Sequence, residues 1–140
     1  MCPVYINRIA SIHAESRNEK PYFSAQEPDY KEMITNANLR RRMSRMIKMG
    51  VACGLECLKD IPSEKVDAII TATGLGCLAD TEKFMNALMD NREQMLNPTA
   101  FIQSTFNTVG AQLALLLKIH AYNVTSVSYT HLTLPTNSRV

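Results

Sequence analysis

Residues 97–125, NPTAFIQSTFNTVGAQLALLLKIHAYNVT, decide the fold. They read as a tight polar turn, a long apolar helix and the start of a strand. Asn97-Pro98-Thr99 is a turn and helix-start signal, and Ser104, Thr105 and Asn107 are cap-type residues ahead of the apolar run 109–119. In that run Leu113, Leu115, Leu116, Leu117 and Ile119, with Ala111 and Ala114, leave little polar face beyond Gln112 and Lys118. A helix apolar all round is normally buried, so this one is expected at the centre, covered on several sides. Its apolar block, 109–117, is far short of the ~20 residues that span a bilayer.

Immediately upstream, residues 66–72, VDAIITA, form a short continuous apolar run that suits a central strand buried on both faces. Thr73-Gly74-Leu75-Gly76-Cys77 then turns the chain into a helix expected over residues 80–95. A strand, a Gly-rich turn and a helix invite a phosphate-loop or dinucleotide-binding reading. The sequence has neither a third glycine at the right offset nor the Lys-Ser/Thr pair that such loops need.

Leu39, Met43, Met46, Ile47, Gly50, Val51, Gly54, Leu55 and Leu58 recur at three and four, which predicts one long helix from Asn36 or Asn38 to Asp60, stopped by Pro62. Gly50 and Gly54 each cost roughly 1 kcal/mol of helix propensity against Ala, a loss that close packing against a sheet or helix would offset. Cys53 and Cys57 share one side of that helix. With no second Cys or His pair at ligand spacing they are read as packing residues, and no metal site is assigned. Arg40, Arg41, Arg42, Arg45 and Lys48 crowd the first turns of the expected helix, an unfavourable end for positive charge. For Arg45 and Lys48 the reading is a solvated face. A basic helix lying on nucleic acid is the rival, but no recognised DNA- or RNA-binding module surrounds it.

The chain opens with PVYINRIASI, residues 3–12, rich in β-branched and aromatic residues and read as a strand; the polar residues 13–30, with Pro21 and Pro28, read as a surface loop. At 140 residues, 46% hydrophobic and 20% charged, the chain is one ordinary globular domain or a piece of a larger one. A net charge of +2 is too small to argue for general nucleic-acid binding. Four cysteines without a framework spacing read as free thiols, and with no secretion signal the expected location is cytoplasmic.

The series Pro98, Phe101, Ser104, Asn107, Gly110 and Lys118-Ile119-His120-Ala121-Tyr122-Asn123 resembles, in order and spacing, the N-terminal half of the β-ketoacyl synthase family, the condensing enzymes of the thiolase fold. Ala121 stands where the family usually has Gly, and Gly110-Ala111 inverts the usual Ala-Gly. Within the family the chain looks closest to divergent synthase-like proteins of bacterial aryl-polyene and flexirubin-type pathways, some of which resemble non-catalytic chain-length factors. The resemblance implies an α/β chain with a partial thiolase-like fold, the N-terminal half only, its mixed sheet holding a buried central helix. It implies acyl transfer and decarboxylative condensation on an acyl carrier protein, no cofactor, and a homodimer or a heterodimer with a second synthase subunit. It places Arg40 and Arg41 where the family docks the acidic carrier protein, and Gly74, Gly76, Ser104 and Asn107 in structural loops beside the site.

From Val127 the residues VSYTHLTLPT do not resemble that family and coincide with a translation of a transposase end adapter used in sequencing libraries. The expected division is therefore a synthase-like portion over residues 1–125 and an adapter-derived tail over 126–140, in which His131 carries no meaning. A condensing enzyme needs a cysteine thiolate to take the acyl chain and later His-His or His-Asn partners to drive decarboxylation. By the family's spacing the cysteine would fall roughly seven residues after Asn123, inside the tail, so the chain is expected to be inactive. Cys77 does not match that position, and His120 is read as a helix-end residue capping carbonyls. With no second half to cover the 109–119 helix, its five large side chains are expected to lie exposed and to prevent a well-behaved monomer.

Overall fold

The computed structural model describes residues 3, 5–14 and 25–127. The elements run α1 (Tyr30–Met33), α2 (Ala37–Arg42), α3 (Arg45–Leu58), a 3-10 turn (Ser63–Lys65), β1 (Ala68–Thr73), α4 (Leu78–Asp90), α5 (Pro98–Ser104), α6 (Thr108–Leu117) and β2 (Tyr122–Val127). Strands β1 and β2 pair in parallel, from Ala68 opposite Tyr122 to Thr73 opposite Val127. The crossover between them is made of α4, α5 and α6, as parallel pairing requires. The α/β arrangement expected from the sequence is present, and among the described residues its sheet is wholly parallel rather than mixed.

Helix α3 lies on α6, and its glycines explain how. A Cβ on Gly50 would come within 2.8 Å of Val109 Cγ1, and one on Gly54 within 2.6 Å of Leu113 Cδ1. The propensity lost at both positions is thus offset by a backbone approach that no other residue allows. Around this seam Ile34, Met43, Ile47, Val51, Ile69, Leu113 and Ile119 form the buried core. Gly110, on the other side of α6, sets that helix against Asn123 of β2.

The single helix expected up to Asp60 is two. Asn36 caps α2 by accepting from the backbone N–H groups of Asn38 and Leu39, then Met43 turns extended (ψ 133°) and Ser44 starts α3. The periodicity survives the break because buried Met43 still faces the core. Likewise α5 and α6 meet at 108°, so the apolar helix is preceded by a separate turn of helix capped by Asn97. No described helix is long and apolar enough by itself to cross a membrane.

Three further expectations are corrected. The described part of the opening segment is not a strand: Tyr5, Ile6 and Ile9 are exposed, and Arg8 ties the segment to the end of α3 through the Glu56 carbonyl and the Asp60 carboxylate (2.6 Å). No strand edge lies beside it there, so its β-forming residues have no ladder to join. Strand β1 is buried on one face only, with Ile69 inside and Ile70 67% exposed. The apolar helix is covered better than expected, since Leu113 and Ile119 are buried, Leu116 and Leu117 half-buried, and Leu115 alone of the five is exposed.

The remaining apolar exposure on α6 and β1 is therefore concentrated at Leu115 and Ile70. Leu115→Gln and Ile70→Thr should each change unfolding free energy by no more than about 0.5 kcal/mol while together lowering binding of a hydrophobic dye. A loss of several kcal/mol in denaturant titration would mean that these side chains are buried in solution.

Candidate functional site

Strand β1 ends at a loop cluster. After β1, Thr73 Oγ1 accepts from the Gly76 N–H at 2.9 Å and closes the turn, with Gly76 at φ +63°, a backbone conformation that suits glycine. A Cβ on Gly76 would overlap the Phe106 ring, so the turn is packed directly against the α5–α6 connection. Gly74 has open space around it and is needed for neither contact.

Thr81 fastens the two loops. Its hydroxyl reaches the carbonyls of Cys77 and of Ser104, both at 3.2 Å, and so links the start of α4 to the end of α5. Ser104 Oγ donates to the Phe101 carbonyl (2.7 Å), Thr105 Oγ1 to that of Ile102 (2.7 Å), and buried Thr108 Oγ1 to those of Ile102 and Thr105. The hydroxyls read as N-caps of the apolar helix therefore satisfy the C-terminal carbonyls of α5 instead. Asn107 does occupy the N-cap position of α6, without a side-chain cap bond, and is exposed.

Of the four loop residues singled out in the sequence, Gly76 and Ser104 are brought together through Phe106 and Thr81, while Gly74 and Asn107 sit on the outside of the same cluster. Phe106, Thr73 and Thr81 were not foreseen. Thr81 carries a faint signal, a β-branched hydroxyl in the first turn of a helix, where it can bond a carbonyl four residues back.

Cys77 is buried at the start of α4, and burial, followed by the nearby Asp80 carboxylate, pushes its thiol pKa up. That is the opposite of what a nucleophilic thiolate needs. Cys53 on α3 is also pushed up, chiefly by burial. Among the described residues no group of three or more metal-ligating side chains converges. His120 is exposed just past α6, whose last carbonyls are closed by the backbone instead: Lys118, left-handed at φ +53°, and Ile119 both donate to the Ala114 carbonyl. The carbonyl-capping role expected of His120 is thus filled by main-chain groups.

A separate surface surrounds the α2–α3 break. Arg40, Arg41 and Arg42 occupy the last turn of α2, where the helix dipole favours positive charge, so the electrostatic cost expected for a basic helix start does not apply to them. Arg40 Nη1 donates to the Ile34 carbonyl at 2.5 Å and is half-buried; Arg41 and Arg42 are exposed. Arg45 is not simply solvated, because its Nε donates to Glu27 Oε1, whose other oxygen accepts from the Tyr30 hydroxyl at 2.7 Å. The Tyr30 and Arg45 hydrogen bonds hold the Glu27 carboxyl below its usual range.

The comparisons with known proteins agree with this geometry. The family model described as beta-ketoacyl synthase, N-terminal domain, matches residues 13–137. The chain belongs to the β-ketoacyl synthase family. The match runs past the expected boundary at Thr125. No curated protein sequence matches the chain. Among solved structures it is similar to a chain of the ketosynthase ApeO in complex with its chain length factor ApeC from Xenorhabdus doucetiae, at 22% identity and a TM-score of 0.59. That likeness covers 83% of this chain and 49% of the other, so the chain spans about half the length of this structural relative.

Two measurements test the local geometry. Gly76→Ala should cost about 2–3 kcal/mol, from the left-handed backbone and the clash with Phe106, and a double-mutant cycle with Phe106→Ala should recover the steric part. Additive losses would show that turn and ring do not touch. Burial and the Glu27 hydrogen bond push Tyr30 up to about 12. Because the folded value lies above the unfolded one of about 10, this stabilisation is complete below pH 10 and lost as pH rises through about 12. In an ultraviolet titration, the tyrosine signal missing from Tyr30→Phe should be the one that ionises near 12; a missing signal near 10 would contradict the Glu27–Tyr30–Arg45 arrangement.

Proposed function

We propose that the chain is the N-terminal portion of a protein that extends an acyl chain on an acyl carrier protein by decarboxylative Claisen condensation, and that these 140 residues alone are inactive. The observation that carries this reading is the family match over residues 13–137, on a fold in which β1 runs into the Gly76 turn and Thr81 ties the start of α4 to Ser104. In such a reaction a cysteine thiolate takes the acyl group from its carrier thioester. A malonyl-type thioester then loses carbon dioxide, and the resulting enolate attacks the acyl carbonyl and releases the thiolate. Neither buried Cys77 nor Cys53 on α3, both with raised thiol pKa, is suited to that role. By the family's spacing the nucleophile position falls roughly seven residues after Asn123, and residues 126–140 are proposed to be an adapter-derived replacement of the natural sequence there. The protein acts in the cytoplasm, needs no cofactor, and works as a dimer.

A second reading, a non-catalytic chain-length factor that shapes the acyl tunnel of a partner synthase, is favoured by one observation: the similar structure pairs a ketosynthase with its chain length factor. Recovering the natural gene decides between them. A cysteine roughly seven residues after Asn123, and condensation activity abolished by its replacement with Ala, support the enzyme. A residue unable to hold a thioester supports the structural subunit, and a gene lacking a thiolase-like second half removes both.

For carrier docking we propose Arg40 and Arg41, with Arg41 the more exposed of the two. Arg40→Glu should destabilise the fold by about 1–3 kcal/mol through the lost bond to the Ile34 carbonyl. Arg41→Glu, on an exposed side chain, should leave stability unchanged and weaken carrier binding by the full-length protein steeply at low salt and much less at high salt, since such attraction is screened over about 10 Å at 0.1 M. Unchanged carrier affinity in Arg41→Glu at low salt would leave Arg41 as a solvated charge.

A further inference from the structure

Residues 5–14 and 25–29, ahead of α1, lie along one face of α3 and are fastened to it mainly by charge. The two segments meet at an antiparallel bridge, Ala14 opposite Ala25, beside which the Gln26 N–H donates to the His13 carbonyl at 3.2 Å. One segment reaches the far end of α3, where Arg8 donates to the Glu56 carbonyl (3.2 Å) and to the Asp60 carboxylate (2.6 Å). The other reaches its start, where Glu27 accepts from Arg45 Nε. Both ion pairs are open to solvent. No residue of either segment is buried, and none belongs to the core around Ile47 and Val51. Between the segments and the helix a groove of about 770 Å³ stays open, with Cys53 and Leu55 of α3 on one side and Ile12 and Pro28 on the other.

A segment that buries little apolar surface and is held by exposed hydrogen bonds belongs to the low-stability end of a fold and opens separately from the rest. The core closes without these residues, because α3 seats on α6 through Gly50 and Gly54. Tyr5, Ile6 and Ile9 are each at least 75% exposed, so they bury almost nothing against the helix. Charge is what remains. We infer that residues 5–14 and 25–29 form an electrostatic strap, fastened at the two ends of α3 by Arg8–Asp60 and Glu27–Arg45, which opens as a unit and uncovers the α3 face carrying Cys53 and Leu55 while the core stays folded. The opening stops at Ile34, which is 1% exposed and whose carbonyl accepts from Arg40 Nη1. Exposed ion pairs contribute little each and are screened over about 10 Å at 0.1 M salt, so ionic strength sets how often the strap is open.

Native-state hydrogen exchange by NMR on the 140-residue chain tests this, by comparing the Gln26 amide of the bridge with the buried Ile119 amide, which donates to the Ala114 carbonyl. At low salt Gln26 should be protected and should exchange through an opening that mild urea does not accelerate, while exchange at Ile119 should rise with urea as a global opening does. High salt, and separately Arg8→Ala, should lower the protection of Gln26 about two- to five-fold and leave Ile119 unchanged. Any of three results overturns the inference. Gln26 unprotected at low salt would mean that the strap never closes. Equal urea dependence at Gln26 and Ile119 would make these residues part of the core. Protection of Gln26 indifferent to salt or to Arg8→Ala would show that charge does not fasten them. Should Arg8→Ala fail to fold, the salt series on the unaltered chain decides.

Discussion

The packing of α3 on α6 through Gly50 and Gly54 is the constraint on which the rest of the structure depends. Val109 and Leu113 fill the space that side chains at those two positions would need, and the helices approach closely enough to shut Ile47, Val51 and Leu113 away from water. Burying such side chains contributes roughly 1.5–3 kcal/mol each, against about 1 kcal/mol of propensity lost per glycine. With α6 fixed on α3, Gly110 sets β2 beside α6, and β1 finds its parallel partner. The loops after β1 and before α6 then have little choice about where they meet.

Much of this was legible in residues 39–58 and 97–125, because hydrophobic periodicity and cap residues report burial and helix starts directly. Asn36 and Asn97 both cap helices, and the glycine pair does face another helix. The interruptions were not legible. A buried Met43 keeps the three-and-four spacing across the extended backbone at 43–44, so a pattern that records only which face is apolar cannot register the break. At residues 104–108 the hydroxyls were read as caps of the helix that follows. They bond backward to the carbonyls of the helix that precedes, a choice set by the 108° turn and invisible to composition. The Thr81 bridge to Ser104 spans 23 residues and likewise lies beyond any local signal.

The charged residues show the same limit. The arginine cluster stood out in the sequence, but its electrostatic meaning depended on where the helix begins. Splitting one helix into α2 and α3 moves Arg40, Arg41 and Arg42 from a positive helix start to a negative helix end. It also separates their roles. Arg40 turns inward to the Ile34 carbonyl and Arg45 pairs with Glu27, so of the four arginines only Arg41 and Arg42 remain as outward charge. The opening segment was misread for a related reason. Its residues favour a strand, but a strand is a property of two neighbouring edges, and the segment runs along α3 instead.

Strand β1 shows how the fold and the family agree without being equivalent. Its sequence, apolar at every position from Ala68 to Ile70, is that of a strand covered on both sides, while its environment covers Ile69 and leaves Ile70 in water. A strand facing solvent on one side would gain nothing from Ile at position 70; a polar β-former such as Thr would serve as well there and keep apolar surface out of water. The pairing of Thr71 Oγ1 with Thr125 Oγ1 at 2.6 Å puts two hydroxyls that satisfy each other on the same face as buried Ile69. The opposite face, with Ala68, Ile70 and Ala72, is apolar by composition and exposed.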